Sequence, residues 1–309
     1  MSTGGSRLHF CDRLAALVEE RRSRVVLGLD PDPASLWPLA LERLPERGEG
    51  AQSARAKTAA AVVEHCRAAI ASAGPACVAV KPQLACFERL GAPGWEALEA
   101  TVAIARDHGL LVIADGKRGD VPVTARAYAQ ALVGETPGPF GPVAGLGADA
   151  FTANPLLGAD SLEPLIEAAA TAGAGCFVLV RTSNAGAAEI QDEGDPPLHE
   201  RLAALADRIG TAHVGECGLS LVGAVTGATQ PALLGRLREL MPRAVFLLPG
   251  VGAQGGRVED LAPAFAPHPA AGLVTASRSI VNAHAERGGD PGEAAATAAE
   301  DLRAAAWSV

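Results

Sequence analysis

The sequence lacks the features that identify disulfide-rich, zinc-binding or membrane-spanning proteins. Its six cysteines are scattered, and none of them forms a Cys-x-x-Cys pair or lies in a cluster with histidine. A disulfide framework and a zinc site are therefore poorly supported, and reduced, mostly buried thiols are expected. A run of about 18 uncharged apolar residues is also missing, as is a secretion signal, so we expect a cytoplasmic protein with no membrane contact.

Clustered positive charge is scarce as well. The chain has 26 Lys and Arg residues against 35 Asp and Glu, which gives a formal net charge of -9. This balance argues against a nucleic-acid partner, because neutralising a phosphate backbone requires clustered basic side chains. A compact anionic ligand held by one or two basic residues is still compatible with it. With 309 residues, of which 49% are hydrophobic and 20% charged, the chain can bury a large core.

Short apolar runs recur along the chain and predict eight strands. The runs are Val25–Leu29, Cys77–Val80, Leu110–Lys117, Ala150–Ala153, Cys176–Val180, Leu219–Val225, Val245–Leu248 and Gly272–Ala276. Stretches with helical spacing of apolar residues alternate with them: Phe10–Arg21, Ala54–Ala73, Trp95–His108, Ala125–Val133, Ser161–Ala172, Leu198–Val214, Pro231–Leu240 and Glu293–Ala306. The composition of Trp37–Gly50 predicts a loop with a short helix, and that of Gly134–Gly147 predicts a loop.

Strands that alternate with helices indicate an α/β fold, and eight of them indicate a (β/α)8 TIM barrel in a single domain. We expect residues 1–8 to form a flexible N-terminal leader and residues 9–309 to form the barrel. An open, doubly wound sheet is the competing fold. It is less favoured, because it usually has fewer strands and a Gly-x-Gly-x-x-Gly turn, and no such turn follows Asp30.

The third predicted strand ends in an unusual concentration of charge. The run Asp115-Gly116-Lys117-Arg118-Gly119-Asp120 places four charges within six residues. Side chains two apart on a strand point to the same side, so Asp115 and Lys117 are expected to face one cavity. Asp120 lies beyond Gly119, where the chain leaves the strand, and it could reach a partner subunit instead. The alternative is an ordinary solvated turn between a strand and a helix.

Polar residues follow the other strands too, and in a (β/α)8 barrel all of these ends converge on one face. The resulting candidate site consists of Asp30, Lys81, Asp115, Lys117, Asn154, Ser183, Gln254 and Arg278. The segments Pro249–Gly256 and Thr275–Ser279, after the last two strands, fit a phosphate group, because backbone amides and a guanidinium can approach an anion closely there. A plain glycine turn beside a surface arginine is the alternative.

Together these motifs resemble the orotidine 5′-phosphate decarboxylase family, in its longer bacterial subgroup (type 2). The matching segments span nearly the whole barrel and are Gly28–Asp32, Val80–Gln83, Asp115–Asp120 with Thr124, Asn154–Pro155, Thr182–Asn184, Gly227–Thr229, Pro249–Gly256 and Ser277–Arg278. The Asp-x-Lys-x-x-Asp core is typical of the suprafamily, and Lys81 makes the resemblance specific for this activity.

The resemblance implies which residues act. It implies a charged catalytic array of Lys81, Asp115, Lys117 and Asp120. It also implies substrate-binding roles for Asp30, Thr124, Ser183, Gln254 and Arg278. Among these residues, Asp120 and Thr124 would come from the other subunit of a homodimer with shared active sites.

The implied reaction is the decarboxylation of orotidine 5′-phosphate to UMP, the last step of de novo pyrimidine nucleotide synthesis. Lys117 would stabilise a ring carbanion and protonate it, without a metal ion or an organic cofactor. Two alternatives stay open. A magnesium-dependent sugar-phosphate decarboxylase would share the Asp-x-Lys-x-x-Asp core, and a non-catalytic nucleotide-binding barrel would share the fold.

Overall fold

In the computed structural model, which describes residues 8–44 and 53–309, parallel strands close into a barrel. The strands are β1 (Val25–Leu29), β2 (Ala79–Pro82), β3 (Leu111–Arg118), β4 (Ala150–Ala153), β5 (Gly175–Arg181), β6 (Ser220–Thr226), β7 (Ala244–Pro249) and β8 (Gly272–Ala276). Each strand pairs with its neighbours in chain order, and β1 pairs with β8, where Val26 lies opposite Thr275. The predicted single-domain (β/α)8 barrel is therefore confirmed, and the open sheet is not found.

Helices surround the barrel and connect its strands. They are α1 (Phe10–Arg21), α2 (Pro38–Glu42), α3 (Ala54–Ala73), α4 (Leu84–Glu88), α5 (Ala92–Asp107), α6 (Pro122–Leu132), α7 (Ala159–Ala172), α8 (Ala188–Gln191), α9 (Leu198–Gly210), α10 (Pro231–Leu240), α11 (Arg278–Val281), α12 (His284–Arg287) and α13 (Pro291–Ser308). Short 3₁₀ helices occupy Gly74–Ala76, Ala185–Ala187, Val258–Phe265 and Pro269–Ala271. Outside the barrel, Glu135–Thr136 pairs with Val143–Ala144 in a small antiparallel hairpin.

Helix α1 closes the N-terminal end of the barrel. Its Phe10 packs edge-on against Phe177 of β5, with the ring centroids 6.0 Å apart. Gly175 makes room for this packing, because a Cβ there would lie 2.5 Å from the Phe10 ring. Val26 of β1 belongs to the same interior cluster, whereas its two neighbours along the strand pack against the helices outside. Since apolar side chains fill this end, the opposite, C-terminal end is the one that can receive a ligand.

The longer elements agree closely with the sequence predictions. The bounds of α1, α3, α10, β1, β4 and β8 match the predicted bounds. The bounds predicted for β2, Cys77–Val80, were wrong, because the strand runs from Ala79 to Pro82 and Lys81 lies within it. Helix α9 ends at Gly210 and not at Val214, because Val214 forms an antiparallel bridge with Ser220.

Of two regions predicted as irregular, one contains a hairpin that was not predicted, and the other lies partly outside the described residues. The Gly134–Gly147 loop contains the small hairpin. The Trp37–Gly50 stretch contains α2, as predicted, but residues 45–52 lie outside the described part of the chain. Residues 1–7 of the expected leader lie outside it too, so the boundary between residues 1–8 and 9–309 stays a prediction.

The described helices include none that is both long and apolar enough to cross a membrane. The cysteines are free thiols, of which Cys11, Cys66, Cys77 and Cys176 are buried. Burial raises the pKa of the Cys66 and Cys77 thiols to about 12. These two thiols therefore behave as small apolar core residues at neutral pH.

Candidate active site

The C-terminal ends of the strands surround a cavity of about 380 Å³. Most of the predicted strand-end residues line it, and they are Asp30, Lys81, Asp115, Lys117, Ser183, Gln254 and Arg278. Asn154 does not line it, so its expected place in the site was wrong. Its Oδ1 instead accepts a hydrogen bond from the Leu156 amide at 3.1 Å, and the residue borders a smaller, neighbouring cavity. Asn154 therefore stabilises the turn after β4.

Asp115 lies at the centre of the charged part of the cavity and accepts four hydrogen bonds. Its Oδ1 accepts from Lys117 Nζ at 2.6 Å and from the Thr152 hydroxyl at 2.9 Å. Its Oδ2 accepts from Lys81 Nζ at 2.6 Å and from Gln83 Nε2 at 3.2 Å. Because each oxygen receives two donors, the orientation of the carboxylate is fixed.

The surroundings of Asp115 keep it ionised. Burial alone would raise the pKa of its carboxyl, but the charges of Lys81 and Lys117 outweigh burial and lower the pKa to about 2. For Lys81, burial works against the charged form, but the carboxylates of Asp115 and Asp30 prevail and raise its pKa. The array thus places two ammonium groups around one carboxylate. The side chain of Lys117 is 42% exposed and faces the cavity, where an anionic ligand would meet it.

An irregularity in β3 directs these charged side chains toward the cavity. Strand β3 pairs with β4 up to Ala114 and again at Arg118, and the three residues between these positions oppose Thr152 alone. Lys117, inside this bulge, has a φ of 48°, in the left-handed region that L-residues seldom adopt. Such local strain persists only where the surrounding structure enforces it, and it is common at functional sites.

A glycine-rich turn after β7 brings Gln254 to the mouth of the cavity. Gly250 and Gly255 have φ values of 103° and 89°, which glycine adopts without steric cost. The turn closes on itself, because the Gly256 amide donates to the Gly250 carbonyl at 2.9 Å. Arg278, the first residue of α11, lines the same cavity directly after β8. An amide and a guanidinium side chain are therefore available to one anionic group.

Ser183 belongs to the segment between β5 and α9, residues 182–197, which we call the β5–α9 segment. Arg181, the last residue of β5, is buried and forms a bidentate ion pair with Asp192, with N–O distances of 2.8 and 2.9 Å. The Gln191 side chain accepts a hydrogen bond from the Thr182 amide at 2.8 Å. These contacts close the part of the segment from residue 182 to residue 192 into a loop and hold Ser183 in the cavity wall.

Asp120 and Thr124 lie outside this cavity within the single chain. The Asp120 carboxylate accepts a hydrogen bond from the Val121 amide at 2.8 Å, and Thr124 is exposed in the first turn of α6. Val121 and Val123 beside them are 53% and 85% exposed. The expected roles of Asp120 and Thr124 in a shared site stay predictions, and both side chains are accessible to a second molecule.

Two residues that contact Asp115 were not predicted from the sequence. Gln83 lies two positions after Lys81, so the same alternation that links Asp115 with Lys117 could have indicated it. Thr152 carries the hydroxyl of an otherwise apolar strand, and its buried position gave no sign of a polar role.

Lysine content was a further signal in the sequence. The chain contains three lysines, Lys57, Lys81 and Lys117, and two of them meet in the cavity. A residue type that is so rare and yet occurs twice in one place is a strong indication of a site.

Side chains that could bind a metal ion do not cluster in the described part of the chain. It contains no set of three or more His, Cys, Asp or Glu side chains that could hold a metal ion. The donors around Asp115 are ammonium, amide and hydroxyl groups, which compete with a cation for its oxygens.

The fold and the site together define a class of protein. A (β/α)8 barrel that holds a Lys–Asp–Lys array and a rim arginine in one cavity is an enzyme that acts on a small anionic ligand at the C-terminal face. Within this class, the chain belongs to the orotidine 5′-phosphate decarboxylase / HUMPS family, whose sequence profile matches residues 23–297.

Individual relatives agree with the family profile. The orotidine 5′-phosphate decarboxylase of Deinococcus radiodurans is 40% identical over 286 residues, which cover 92% of this chain and 93% of that protein. The protein of the same name from Rhodopirellula baltica is 38% identical over 279 residues and covers 89% of each chain.

Solved structures give the same result for the fold. The OMP decarboxylase of Leishmania donovani superposes with a TM-score of 0.69 at 31% identity, over 96% of this chain and 99% of that one. A crystal structure of a Streptomyces avermitilis protein superposes with a TM-score of 0.75 at 32% identity, over 99% of both chains.

Proposed function

We propose that this chain converts orotidine 5′-phosphate into UMP and carbon dioxide, the last step of de novo pyrimidine nucleotide synthesis. The observation behind the proposal is the Lys81–Asp115–Lys117 array, in which each ammonium lies 2.6 Å from the carboxylate, in one cavity with Arg278. Family membership and relatives that bear the name of this activity support it.

Lys117 supplies the central chemical function. When the bond between carbon 6 of the pyrimidine and the carboxylate breaks, its electron pair stays in the ring plane, where the π system cannot delocalise it. The fixed ammonium of Lys117 stabilises this negative charge without having to reorganise. A proton from Nζ then forms the new C–H bond, and solvent returns a proton to the amine.

Asp115 acts on the reaction through Lys117. Its 2.6 Å contact with Nζ fixes where the ammonium stands, and its low pKa keeps the carboxylate negative throughout the pH range of the cell. A displacement of about 1 Å in such a group can cost about 100-fold in rate. The orientation of the pair is therefore the main contribution of the carboxylate.

The other cavity residues bind the parts of the substrate that do not react. Asp30 and Lys81 hold ribose hydroxyls, Ser183 binds the amide edge of the pyrimidine, and Gln254 and Arg278 bind the phosphate. Enzymes lower barriers by roughly 8 to 23 kcal/mol, and one ammonium cannot supply the upper end, so binding energy from the phosphate contributes to the rate.

A homodimer completes each site in this proposal. Asp120 and Thr124 reach the cavity of the partner subunit, where Asp120 extends the charged array and Thr124 contacts the substrate. The exposed Thr124, the half-buried Asp120 and the exposed Val121 and Val123 next to them support this arrangement.

The geometry favours a reaction without a metal ion over a magnesium-dependent one. Both oxygens of Asp115 are occupied by hydrogen-bond donors, and the Lys81 ammonium stands beside them where a cation would have to bind. Magnesium prefers carboxylate and water oxygens in octahedral geometry. No organic cofactor has a role in the proposed chemistry either.

An ultraviolet assay of orotidine 5′-phosphate consumption tests the proposal. The wild-type protein should turn over the substrate, and an excess of chelator should leave the rate unchanged. Lys117→Ala should lower kcat by about 1,000-fold or more while UMP still binds. Lys57→Ala, on the exposed face of α3, is the matched control and should keep full activity.

The opposite results have clear meanings. Activity that disappears with the chelator would favour the magnesium-dependent sugar-phosphate chemistry. Substantial turnover by Lys117→Ala would remove Lys117 from its role. UMP binding without any turnover by the wild type would indicate a non-catalytic nucleotide-binding barrel.

A further inference from the structure

Thr152 of β4 has no role in the proposed chemistry, yet it contacts two members of the charged array, Asp115 and Lys117. The side chain is buried, with 1% exposure, and lines the same cavity as Lys117. It is the residue of β4 that lies opposite the bulge of β3. This position gives its hydroxyl access to backbone and side-chain groups of the bulge.

The Thr152 hydroxyl makes two hydrogen bonds of opposite sense. Its oxygen accepts the backbone N–H of Lys117 at 2.8 Å. Its own proton is donated to Asp115 Oδ1 at 2.9 Å, the oxygen that also receives the Lys117 ammonium. One hydroxyl therefore connects the backbone of the lysine with the carboxylate that holds its side chain.

The backbone contact matters because of the conformation of Lys117. The bulge interrupts the register between β3 and β4 at Lys117, whose amide bonds the Thr152 hydroxyl, and backbone bonding between the two chains continues where the Asn154 amide donates to the Arg118 carbonyl at 2.8 Å. The φ of 48° at Lys117 is unfavourable by itself. A hydrogen bond from this amide to a buried hydroxyl is a direct way to hold the strained residue in place.

We propose that Thr152 is a positioning residue that fixes Lys117 and Asp115 in their mutual geometry, and this inference rests on the proposed function. The hydroxyl holds the backbone from which the proton-donating side chain projects. It also limits the rotation of the carboxylate, because it supplies one of the two donors to Oδ1. Thr152 itself transfers no proton to the substrate.

Other buried threonines of the barrel give a comparison. The hydroxyls of Thr226 in β6 and Thr275 in β8 have no hydrogen-bond partner among the described residues. A threonine can therefore occupy an inner barrel strand without such contacts. The two hydrogen bonds of Thr152 are specific to its place opposite the bulge.

The experiment compares Thr152→Val, Thr152→Ser and Thr226→Val with the wild type. Valine keeps the shape and removes the hydroxyl, whereas serine keeps the hydroxyl. We expect Thr152→Val to lower kcat per UMP-binding site by about 10- to 100-fold, as for the loss of a hydrogen bond to a charged group. The dissociation constant of UMP should change by less than about twofold, because the reacting groups are not its main anchors. Thr152→Ser and Thr226→Val should stay within about threefold of the wild-type kcat.

Counting sites with UMP separates positioning from folding. If Thr152→Val only reduces the number of UMP-binding sites and leaves kcat per site unchanged, the inference is wrong. It is also wrong if the serine and valine variants lose the same activity, or if Thr226→Val loses as much as Thr152→Val.

A measurement that does not depend on turnover separates this inference from the proposed function. Hydrogen–deuterium exchange of the peptide that contains Lys117 should be faster in Thr152→Val than in the wild type and in Thr152→Ser. Unchanged exchange overturns the contact between the Thr152 hydroxyl and the Lys117 amide, even in a protein that decarboxylates the substrate. If the wild type consumes no orotidine 5′-phosphate but exchange is still faster in Thr152→Val than in the wild type, the proposed function is wrong and the backbone contact is supported.

Discussion

Asp115, which has a positioning role in the proposed reaction, also bears on stability, because its charge is compatible with burial only while its ammonium partners are present. The lowered pKa means that its contribution to folding is complete above the ordinary value of 3.8 and is lost as the pH falls through about 2. Removing Lys81 would take away the more buried of the two ammonium groups that lie 2.6 Å from this carboxylate, at a cost of up to about 3–5 kcal/mol. Variants at these positions therefore require a stability measurement beside each rate.

A second buried titratable residue lies on the outer side of β1. His65 of α3 is 4% exposed, and its Nδ1 accepts a hydrogen bond from the Trp37 amide at 3.1 Å. Burial, together with the nearby His284, lowers the pKa of His65 from 6.5 to about 4. The folded protein thus keeps this ring neutral at pH values where the unfolded chain already binds a proton.

We expect acid to destabilise the protein through His65. Below about pH 6.5 the unfolded state holds one more proton, so the free energy of unfolding should fall by about 1.4 kcal/mol per pH unit, and by about 3 kcal/mol near pH 4. His65→Asn keeps an acceptor for the Trp37 amide but does not titrate, and it should lack this part of the acid dependence. Urea unfolding at about pH 7 and pH 4.5 measures the difference.

The exposed His108 after α5 provides the control for this prediction. His108→Asn should lose stability on acidification as the wild type does. If His65→Asn does so as well, the acid sensitivity has another origin.

The sequence predicted the charged residues of the site better than its neutral ones. Alternation along a strand predicted that Asp115 and Lys117 face one cavity, and both line it. Thr152 was not predicted, because its contacts depend on a bulge in another strand, for which the sequence offers no local pattern. Asn154 was wrongly included, because a shift of one or two residues at a strand end moves a side chain to another surface.

The β5–α9 segment carries Ser183, which binds the pyrimidine in the proposed function. Its start is tied to residues further along it by the ion pair of Arg181 with Asp192 and by the contact of Gln191 with the Thr182 amide. The hydrogen bond from Arg181 also lowers the pKa of Asp192, which favours the charged form of this carboxylate. Ser183 lies between these anchors, and its position therefore depends on them.

Removing this anchor should weaken nucleotide binding more than it slows the chemical step. We expect Asp192→Ala to raise the dissociation constant of UMP about tenfold, which corresponds to about 1.4 kcal/mol, because the freed segment must be ordered again on binding. Calorimetric titration with UMP measures this change. Glu193→Ala, next to it on the exposed part of the segment, is the control and should bind UMP like the wild type. Equal affinity of Asp192→Ala and the control would mean that the ion pair does not position Ser183.

Element length explains which of these helices could be predicted. Helices α1 and α3 have 12 and 20 residues, which is enough for the apolar period to be read along the chain. Helices α4 and α11 have five and four residues, and a single turn shows no period. Such turns form because tertiary contacts hold them in place.

The assembled molecule has two chemically different ends. Helix α1 fills the N-terminal end with apolar side chains, whereas the C-terminal end holds the charged cavity. Several large apolar side chains that follow strand ends on this side stay exposed, with Val121 at 53%, Val123 at 85% and Leu156 at 63%. A concentration of exposed apolar groups beside an active site is typical of a surface that another protein covers.

Hybrid dimers test whether a second copy covers it. Lys117→Ala and Asp120→Ala should each be inactive alone, because each lacks one member of the array. Mixed in equal amounts with subunit exchange, they should recover roughly a quarter of the wild-type activity, since half of the dimers are hybrids with one intact site each. Initial rates after exchange measure the recovery.

A pair of variants within one subunit's site serves as the control. Asp115→Ala and Lys117→Ala remove groups that contact each other in the same chain, so their mixture should stay inactive. Recovery in this control, or none in the first mixture despite exchange, would count against Asp120 acting across the interface.

The barrel could be predicted because its strands are buried on both faces and therefore read as short, nearly continuous apolar runs. Each predicted apolar run corresponds to a strand of the barrel, and the number of runs, eight, indicated that the sheet closes into a barrel. The small hairpin within Gly134–Gly147 was not predicted, because its residues are exposed and leave no alternation of apolar and polar side chains. Assembly could not be derived from the pattern either, since the same exposed valines fit a monomer with a plain surface.

Arginine serves nearly everywhere in this chain as the basic residue, since only three of its 26 Lys and Arg residues are lysines. Arg238, for example, donates to four backbone carbonyls in the core. At Lys81 and Lys117 a guanidinium would retain the charge but would be broader than the ammonium and would not release a proton. In a variant designed with as few lysines as possible, for instance to direct bioconjugation to an introduced amine, Lys57 can therefore be replaced, whereas Lys81 and Lys117 have to be kept.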